Sequence, residues 1–317
     1  MTFTFRPANT FTDRRGLFVA LVGGPNSGKT YSAMRLARGI AGPTGRIAVL
    51  DTEGGRVLNL KEEFGFDAMV LSPPHRPERY AEAAQAAEEQ SYDVLVIDSF
   101  TAEWRGVGGV LDWMEEELDR MCGQDLAKRE KQKARAAIRP KMAHKLMVAG
   151  LLDRRIPIIF STRGEVTFDP KVSKEAFKPL VAPGFLFEVT VSFRLSTEHR
   201  GYIDLTDPTT YKMEGVHKSI FRHGEQLSEA HGRALDAWAR GGTVAQPVAG
   251  ATVPAIDAEV LAELIETGKG RAEGGTAALR AWLGELGPME LAAVKAANAG
   301  LMVIAKAADA ARAEETV

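Results

Sequence analysis

Short apolar runs rich in β-branched residues recur along the chain, and stretches with the spacing of an amphipathic helix separate them. Five of these runs are predicted as strands: 17–22, 46–51, 68–71, 93–98 and 156–161. Helix formers fill residues 29–40 and 78–90, the second stretch with apolar side chains on one helical face. Strands that alternate with helices predict a parallel sheet covered on both faces. The pattern therefore predicts a three-layer α/β core.

The helical pattern also interrupts this sheet, and later runs extend it. Residues of about 103–155 are predicted as a helical insertion, because apolar side chains from Val107 to Met121 follow a helical stripe. Three later runs are predicted as shorter strands: 185–195, 202–205 and 218–221. Gly201 is predicted to mark a turn, and a helix over 228–239 closes a domain assigned to residues 1–240.

The composition changes after this domain. Residues 241–257 are rich in Gly, Ala, Pro and Val without periodicity, which predicts a flexible linker. Alanine-rich helical patterns follow, with Trp282 as the main large apolar side chain. We therefore expect a small C-terminal helical module over residues 258–317.

Composition narrows the classes of protein that fit. The 317 residues carry 40 basic and 42 acidic side chains, a formal charge of −2, so contact with nucleic acid would need a local patch. The one cysteine, Cys122, excludes an internal disulfide framework and fits a reducing compartment. No apolar run approaches the roughly 20 residues that a membrane helix needs. We expect a cytoplasmic protein with no membrane contact.

A glycine-rich motif lies between the first predicted strand and the first predicted helix. Gly23-Gly24-Pro25-Asn26-Ser27-Gly28-Lys29-Thr30 satisfies G-x-x-x-x-G-K-[ST] in the context that this motif requires. Backbone N–H groups of such a loop bind phosphates, the lysine contacts the β/γ oxygens, and the hydroxyl binds magnesium. We therefore expect this loop, with the adjacent Tyr31, to bind ATP together with Mg²⁺.

Three charged residues at the ends of predicted strands complete the candidate site. Asp98 is predicted to bind Mg²⁺ beside the loop hydroxyl, with a turn or helix-cap role as the alternative. Glu53 is predicted to orient the attacking water, because the ends of parallel strands share one edge; an exposed turn glutamate is the alternative. Arg163 is a candidate γ-phosphate sensor, or it pairs with Glu165.

Together, the loop and these strand ends resemble a RecA-type ATPase in kind and in order. More narrowly, the stretches FTFRPA, GKTYSAMRLARGIAG, IAVLDTEGGR, YDVLVIDSFTAEW, GGVLDWMEEEL, KREKQKARAAIRPKMAHKLM and FEVTVSFRL resemble a phage and prophage family of RecA-like ATP-binding proteins. That family is related to the phage single-strand-annealing ATPases, and the resemblance covers about residues 3–240.

The resemblance implies a RecA-like P-loop NTPase core and ATP-dependent work on single-stranded DNA in phage recombination, annealing or replication. It also implies a homo-oligomer inside the bacterial host cell. The C-terminal run GTAALRAWLGELGPMELAAVKAANAGLMVIAKAADAA resembles a small helical appendix at the ends of several phage recombination and replication proteins. This resemblance suggests docking to a recombination or single-strand-binding partner; an ordinary helical hairpin is the alternative. Because Arg163 replaces a glutamine sensor and no glycine-rich DNA-binding loop follows it, strand exchange is not expected.

Basic residues supply the candidate DNA contacts. Between residues 128 and 145 eight of them accompany a single acid, Glu130: Lys128, Arg129, Lys131, Lys133, Arg135, Arg139, Lys141 and Lys145. They are predicted to contact phosphates of DNA, with a solvated helix face as the alternative. Three more, Lys212, Lys218 and Arg222, are candidates for a cation donated to the γ-phosphate of a neighbouring protomer, or belong to a basic surface strand.

Three functions remain open from the sequence. The first is an ATPase, stimulated by DNA, that acts on single strands. The second is a nucleotide-switched assembly or docking protein with slow hydrolysis. The third is a small-molecule phosphotransferase, for which no acceptor signature is present.

Overall fold

The computed structural model describes residues 5, 7, 10, 17–169, 174–241, 258–287, 290–291, 294 and 300–314. The chain divides into two compact units, Met1–Gly250 and Ala251–Val317. This division falls within the predicted linker, of which only Gly241 is described. No helix among the described residues combines the length and apolar character needed to cross a membrane.

A mostly parallel mixed sheet forms the centre of the first unit. Its described strands are β1 Phe18–Gly23, β2 Ile47–Asp51, β3 Asp67–Val70, β4 Val94–Asp98, β5 Ile158–Asp169, β6 Lys174–Pro179, β7 Val191–Leu195 and β8 Ile203–Asp204. Their order is β3-β2-β4-β5-β1-β7-β8, with β6 paired to β5. All neighbours from β3 to β7 are parallel, whereas β8 and β6 are antiparallel to their partners. The predicted α/β class and largely parallel sheet are confirmed.

Helices follow most strands of this unit and cover both faces of the sheet. They are α1 Lys29–Ala41, α2 Lys61–Phe64, α3 Pro77–Glu89, α4 Thr101–Arg105, α5 Val110–Cys122, α6 Leu126–Ala136, α7 Ile138–Leu152, α8 Phe185–Glu188, α9 Gly215–Ile220 and α10 Glu229–Ala239. Short 3₁₀ turns occupy Arg56–Leu60 and Pro208–Thr210.

Alternate residues of the strands supply two separate cores. Val19 and Leu21 of β1 face a core that includes α1 and α10. Phe18 and Ala20 of the same strand face the other core, which includes α3 and α7. Because successive side chains of a strand point to opposite faces, a strand covered on both sides must be apolar throughout. This is why the central strands were visible as unbroken apolar runs.

Helices α4 to α7 occupy the predicted insertion. The basic segment that the sequence predicted as helix is two helices, α6 and α7, with Ala137 between them. The apolar stripe is only partly packing, because Val110 and Leu118 are buried whereas Val107 is 67% exposed.

Three of the strand predictions are wrong. Residues 218–221 do not form a strand: Lys218 lies in α9, whose start is fixed by a reciprocal capping box between Glu214 and His217. The run 185–195 begins as the short helix α8 and is extended only in β7. Strand β5 does not stop near residue 161 but continues into an antiparallel hairpin with β6. The sequence did not predict this hairpin because polar and apolar residues are mixed along its two strands.

The described residues of the second unit include three helices. They are α11 Ala258–Glu273, α12 Thr276–Glu285 and α13 Leu301–Glu314. Trp282 is buried in a small core with Leu279 and Ala305.

Candidate functional site

The glycine-rich loop joins the end of β1 to the start of α1. Gly28 has a φ of 82°, which favours glycine, and a Cβ there would lie 2.9 Å from the backbone nitrogen of Gly201. The Gly201 N–H donates to the carbonyl of Ser27 at 2.9 Å, and the Ser27 hydroxyl donates to the carbonyl of Gly24 at 3.0 Å. The loop is therefore held from within and by the turn at Gly201.

The start of α1 presents backbone donors next to a lysine. The first N–H groups of a helix lack acceptors within it, and Gly28 at the N-cap supplies no side-chain acceptor. Lys29 Nζ donates to the carbonyl of Gly24 at 2.7 Å, so its ammonium lies over the loop. Burial lowers the pKa of Lys29, while the charges of Asp98 and Glu53 act in the opposite direction. This combination of N–H groups and an ammonium suits a phosphate chain.

Asp98 lies at the end of β4, in line with residues of both neighbouring strands. Asp51 of β2 and Ser161 of β5 are its register partners. Thr30 Oγ1 donates to Asp98 Oδ2 at 2.6 Å, and the Ser161 hydroxyl donates to Oδ1. Burial raises the pKa of Asp98, whereas the two hydroxyl bonds lower it. The hydrogen bond from Thr30 joins the glycine-rich loop to the aspartate that the sequence paired with it.

The Thr30 hydroxyl and the Asp98 carboxylate are hard oxygen ligands at one place. Mg²⁺ keeps several waters and commonly takes only one or two protein ligands beside phosphate oxygens. The donor set therefore fits a magnesium ion held largely by a nucleotide. Among the described residues, no group of three or more His, Cys, Asp or Glu side chains could hold a metal ion in the absence of a nucleotide.

Glu53 and Arg163 form an ion pair at the same edge. Arg163 donates to Glu53 Oε1 from Nε at 3.0 Å and from its terminal nitrogen at 2.6 Å. The Glu53 N–H donates to Asp51 Oδ1 at 2.6 Å, which fixes the backbone just beyond β2. The alternative pairing of Arg163 with Glu165 is not formed, because Glu165 pairs with Arg105 at 3.3 Å. At 18% exposure, the Glu53 side chain is not the solvated turn glutamate of the alternative reading.

The structure thus brings the main predicted residues together. The carboxyl ends of β1, β2, β4 and β5 meet at one edge because these strands are parallel. The charges of Asp98, Glu53 and Arg163 all act on the pKa of Lys29, which places four charged groups in one electrostatic environment. An open parallel sheet commonly binds ligands at such an edge.

Tyr31 points to a different neighbour. Its hydroxyl donates to Glu63 Oε1 at 2.5 Å, and its ring lies edge-on to Phe64 with centroids 5.3 Å apart. A nucleotide contact by Tyr31 stays a prediction.

The three cations proposed to act on a neighbouring protomer do not share a late strand. Lys212 Nζ donates to the carbonyls of Phe187 and Val189 at 2.7 Å each, so this ammonium is used within its own chain. Lys218 lies in α9, and Arg222 follows that helix with Glu225 at 3.4 Å. No element groups them as the sequence predicted.

The basic segment on α6 and α7 is only partly neutralised. Ion pairs hold Arg129 to Glu115 and Asp119, Lys133 to Glu130, and Arg139 to Glu117. The remaining five cations are exposed, and the described chain places no acid within 4.0 Å of them: Lys128, Lys131, Arg135, Lys141 and Lys145. Three of these five, spaced i, i+3 and i+7 on α6, share one helical face.

The sequence did not predict that small residues stabilise the site through hydrogen bonds. Ser161 bonds Asp98, and Gly201 supports the loop. Thr52 Oγ1 donates to the carbonyl of Ser99 at 2.8 Å and accepts from its N–H at 2.9 Å, joining the ends of β2 and β4. Hydroxyl residues directly at or after buried strands were the available signal.

No protein-family model matches this chain, and a comparison with curated proteins found no match.

Proposed function

We propose that this protein is a RecA-like P-loop ATPase that binds ATP with Mg²⁺ and hydrolyses it. The observation that carries the proposal is the 2.6 Å hydrogen bond from Thr30 to Asp98, at the end of a loop that satisfies G-x-x-x-x-G-K-[ST]. The motif and a strand-end aspartate are each common alone. Their contact beside Lys29 is the arrangement that nucleotide phosphates and magnesium require.

Each residue then has a distinct role. The N–H groups at the start of α1 and the Lys29 ammonium bind the phosphate oxygens and offset their charge. Thr30 and Asp98 would hold Mg²⁺, which would neutralise negative charge on the phosphate groups. Glu53 orients and deprotonates the attacking water, provided that Arg163 releases it. Arg163 is placed to exchange the Glu53 carboxylate for γ-phosphate oxygens, which is the action of a sensor.

We further propose that the partner is single-stranded DNA in phage recombination, annealing or replication within the bacterial cytoplasm. The unpaired cations on α6 and the family resemblance of residues 3–240 support this proposal. Phosphate contacts of this kind are independent of sequence and sensitive to salt. Assembly of several protomers and docking of a recombination or single-strand-binding partner to the C-terminal module belong to the same proposal.

One observation favours a second candidate, a nucleotide-switched docking protein with slow hydrolysis. Glu53 is bound by Arg163 at 2.6 Å and lies 3.6 Å from Arg56. A carboxylate whose oxygens already accept hydrogen bonds from a guanidinium group has fewer free lone pairs with which to bind the attacking water. In this second function the ion pair would persist after ATP binds.

ATP turnover with and without single-stranded DNA, at low and high salt, tests the proposal. We expect turnover that DNA increases and that salt returns to its basal rate. Lys29→Ala should abolish turnover and weaken ATP binding, because the β/γ oxygens lose their ammonium. If DNA does not change ATP turnover at either salt concentration, the docking protein is favoured. Near-normal turnover in Lys29→Ala would refute the role of the loop.

A further inference from the structure

A cavity of about 340 Å³ is lined in part by Glu53 and Arg163 of the candidate site. Its wall also includes His75, Ser99 and Arg105. The volume is within the range of small-molecule sites, which begins at roughly 300 Å³. The cavity therefore shares the Glu53–Arg163 ion pair with the candidate site.

Two polar atoms in the lining residues have no partner. The Ser99 hydroxyl and His75 Nδ1 are buried without a hydrogen bond to any described residue, and the two residues are only 2% and 5% exposed. Buried polar atoms in folded proteins are nearly always paired, so two neighbouring exceptions on one cavity indicate a ligand that pairs them.

The chemistry of these atoms limits that ligand. Burial lowers the pKa of His75, and the charge of Arg79 lowers it further, so the ring is neutral at pH 7. In the tautomer with a proton on Nδ1, the imidazole donates one hydrogen bond. The Ser99 hydroxyl donates another. Both groups can therefore bind an oxygen acceptor.

The charged residues that line the cavity are two arginines and one glutamate: Arg105, Arg163 and Glu53. Arg105 and Arg163 are 47% and 54% exposed while paired with Glu165 and Glu53. Guanidinium groups bind planar or tetrahedral oxyanions through two parallel hydrogen bonds.

We propose that this cavity is a second oxyanion site that takes a tetrahedral phosphate group. The Ser99 hydroxyl, His75 Nδ1 and the Arg105 guanidinium supply its donors, with Arg163 between the two sites. The phosphate group is either orthophosphate or a phosphodiester of a nucleic acid. A role as the exit for orthophosphate after hydrolysis rests on the proposed ATPase function, whereas binding itself does not.

Inorganic phosphate is the probe for this site, and isothermal titration calorimetry gives its affinity and stoichiometry. We expect two phosphates to bind the wild-type chain and one to bind Lys29→Ala, in which the loop is disabled. Adding Ser99→Ala and Arg105→Ala to Lys29→Ala should weaken the remaining site at least about tenfold, since a charge-assisted and a neutral hydrogen bond are lost. Adding Arg120→Ala instead should change nothing, because that exposed, ion-paired arginine lies outside the cavity.

Two results would overturn the proposal. One is a Lys29→Ala protein that binds no phosphate while keeping the wild-type thermal unfolding midpoint. The other is an unchanged affinity after removal of the Ser99 hydroxyl and the Arg105 guanidinium. Because binding is measured without turnover, an inactive ATPase would not produce either result.

The same titration separates the two sources of the phosphate group. A short oligothymidylate that competes with phosphate in Lys29→Ala identifies a phosphodiester of a bound strand. Phosphate affinity unaffected by the oligonucleotide identifies free orthophosphate.

Discussion

Asp98 is the residue at which stability and the proposed function oppose each other. The carboxylate is 4% exposed, and burial is the largest influence on its raised pKa. Hydrogen bonds from Ser161 and Thr30 offset only part of the cost of burying the charge. A bound cation would favour the ionised form. The unliganded protein therefore retains a costly group that becomes favourable when magnesium binds.

Replacing this carboxylate tests that conflict. Because the folded pKa lies above the ordinary value of 3.8, the folded protein binds more protons than the unfolded chain between these two values. Ionisation of Asp98 therefore costs stability as the pH rises through that window, and the cost persists at neutral pH. Asp98→Asn keeps an acceptor and removes the charge, so it should raise stability at pH 7 by about 1 kcal/mol.

The gain should shrink as the pH falls towards 3.8, where the wild-type carboxyl is protonated. Thermal unfolding at several pH values measures this effect. Calorimetric titration of ATP with Mg²⁺ should show affinity at least about tenfold weaker in the same variant. A less stable variant that binds Mg–ATP normally would contradict both the electrostatic argument and the metal assignment.

Glu53 is the other residue whose charge defines its role. Glu53→Gln keeps the size of the side chain but cannot accept a proton from water, so turnover should fall at least about tenfold with ATP affinity retained. Steady-state turnover and ATP titration measure the two quantities. Glu116→Gln is the matched control, because Glu116 also pairs with an arginine, Arg76 at 2.5 Å, but away from the site. Equal turnover in the two variants would leave Glu53 as a structural partner of Arg163.

At the scale of elements, α1 depends on its contact with α10. A Cβ on Gly39 of α1 would lie 2.1 Å from the carbonyl oxygen of Glu229, and one on Gly232 of α10 would lie 2.3 Å from that of Leu36. Glycine is therefore required on both helices for this close crossing. Arg35 adds a bidentate ion pair to Glu229 at 2.8 Å. Helix α10, near the end of the same domain, thus positions the helix that begins at Lys29.

Gly39→Ala should destabilise the protein by about 2 kcal/mol, because the added methyl group meets backbone atoms that cannot rotate away. Urea unfolding measures the change. Gly215→Ala is the control, since a Cβ there meets nothing within 4 Å and alanine is the better helix former. Similar unfolding midpoints for Gly39→Ala and the wild type would show that the two helices separate without cost.

At the scale of the whole molecule, the numbers of basic and acidic residues nearly balance. The formal charge of −2 provides no general attraction to DNA. Acids of α5 neutralise Arg129 and Arg139, and Lys133 pairs on its own helix. On α6, the cations that have no acid within 4.0 Å among the described residues share one helical face: Lys128, Lys131 and Arg135.

Removing that face should weaken binding to single-stranded DNA most at low salt. The Lys128→Ala/Lys131→Ala/Arg135→Ala variant should lower the slope of log affinity against log salt by about 0.7 for each lost contact. Fluorescence anisotropy across a salt series measures this slope, and ATP binding should be retained.

A control variant changes three cations that each pair with an acid three or four residues earlier in the chain: Arg120, Arg240 and Lys269. Changed to Ala together, they should leave the slope near its wild-type value. If the slope falls equally in both triple variants, the change reflects only the net charge of the protein. If the slope falls in neither, the basic face of α6 is a solvated helix face that does not contact DNA.

The sequence by itself determined the central strands, the helices beside them and the loop before α1. Strands covered on both faces must be apolar throughout, so 46–51 and 93–98 were recognisable without their neighbours. The glycine-rich motif was recognisable because its glycines and Lys29 are required locally, by backbone conformation and charge.

Only the tertiary structure decided which side chains meet. Arg163 binds Glu53 instead of nearby Glu165, because β4 places the ends of β2 and β5 on either side of Asp98. The β5–β6 hairpin and α9 were missed since their surfaces are mixed, which leaves no burial pattern to fix their type. The register of β4 with β2 and β5 and the pairing of Arg163 with Glu53 depend on residues more than forty positions apart, and a local sequence pattern does not reveal which distant residues meet.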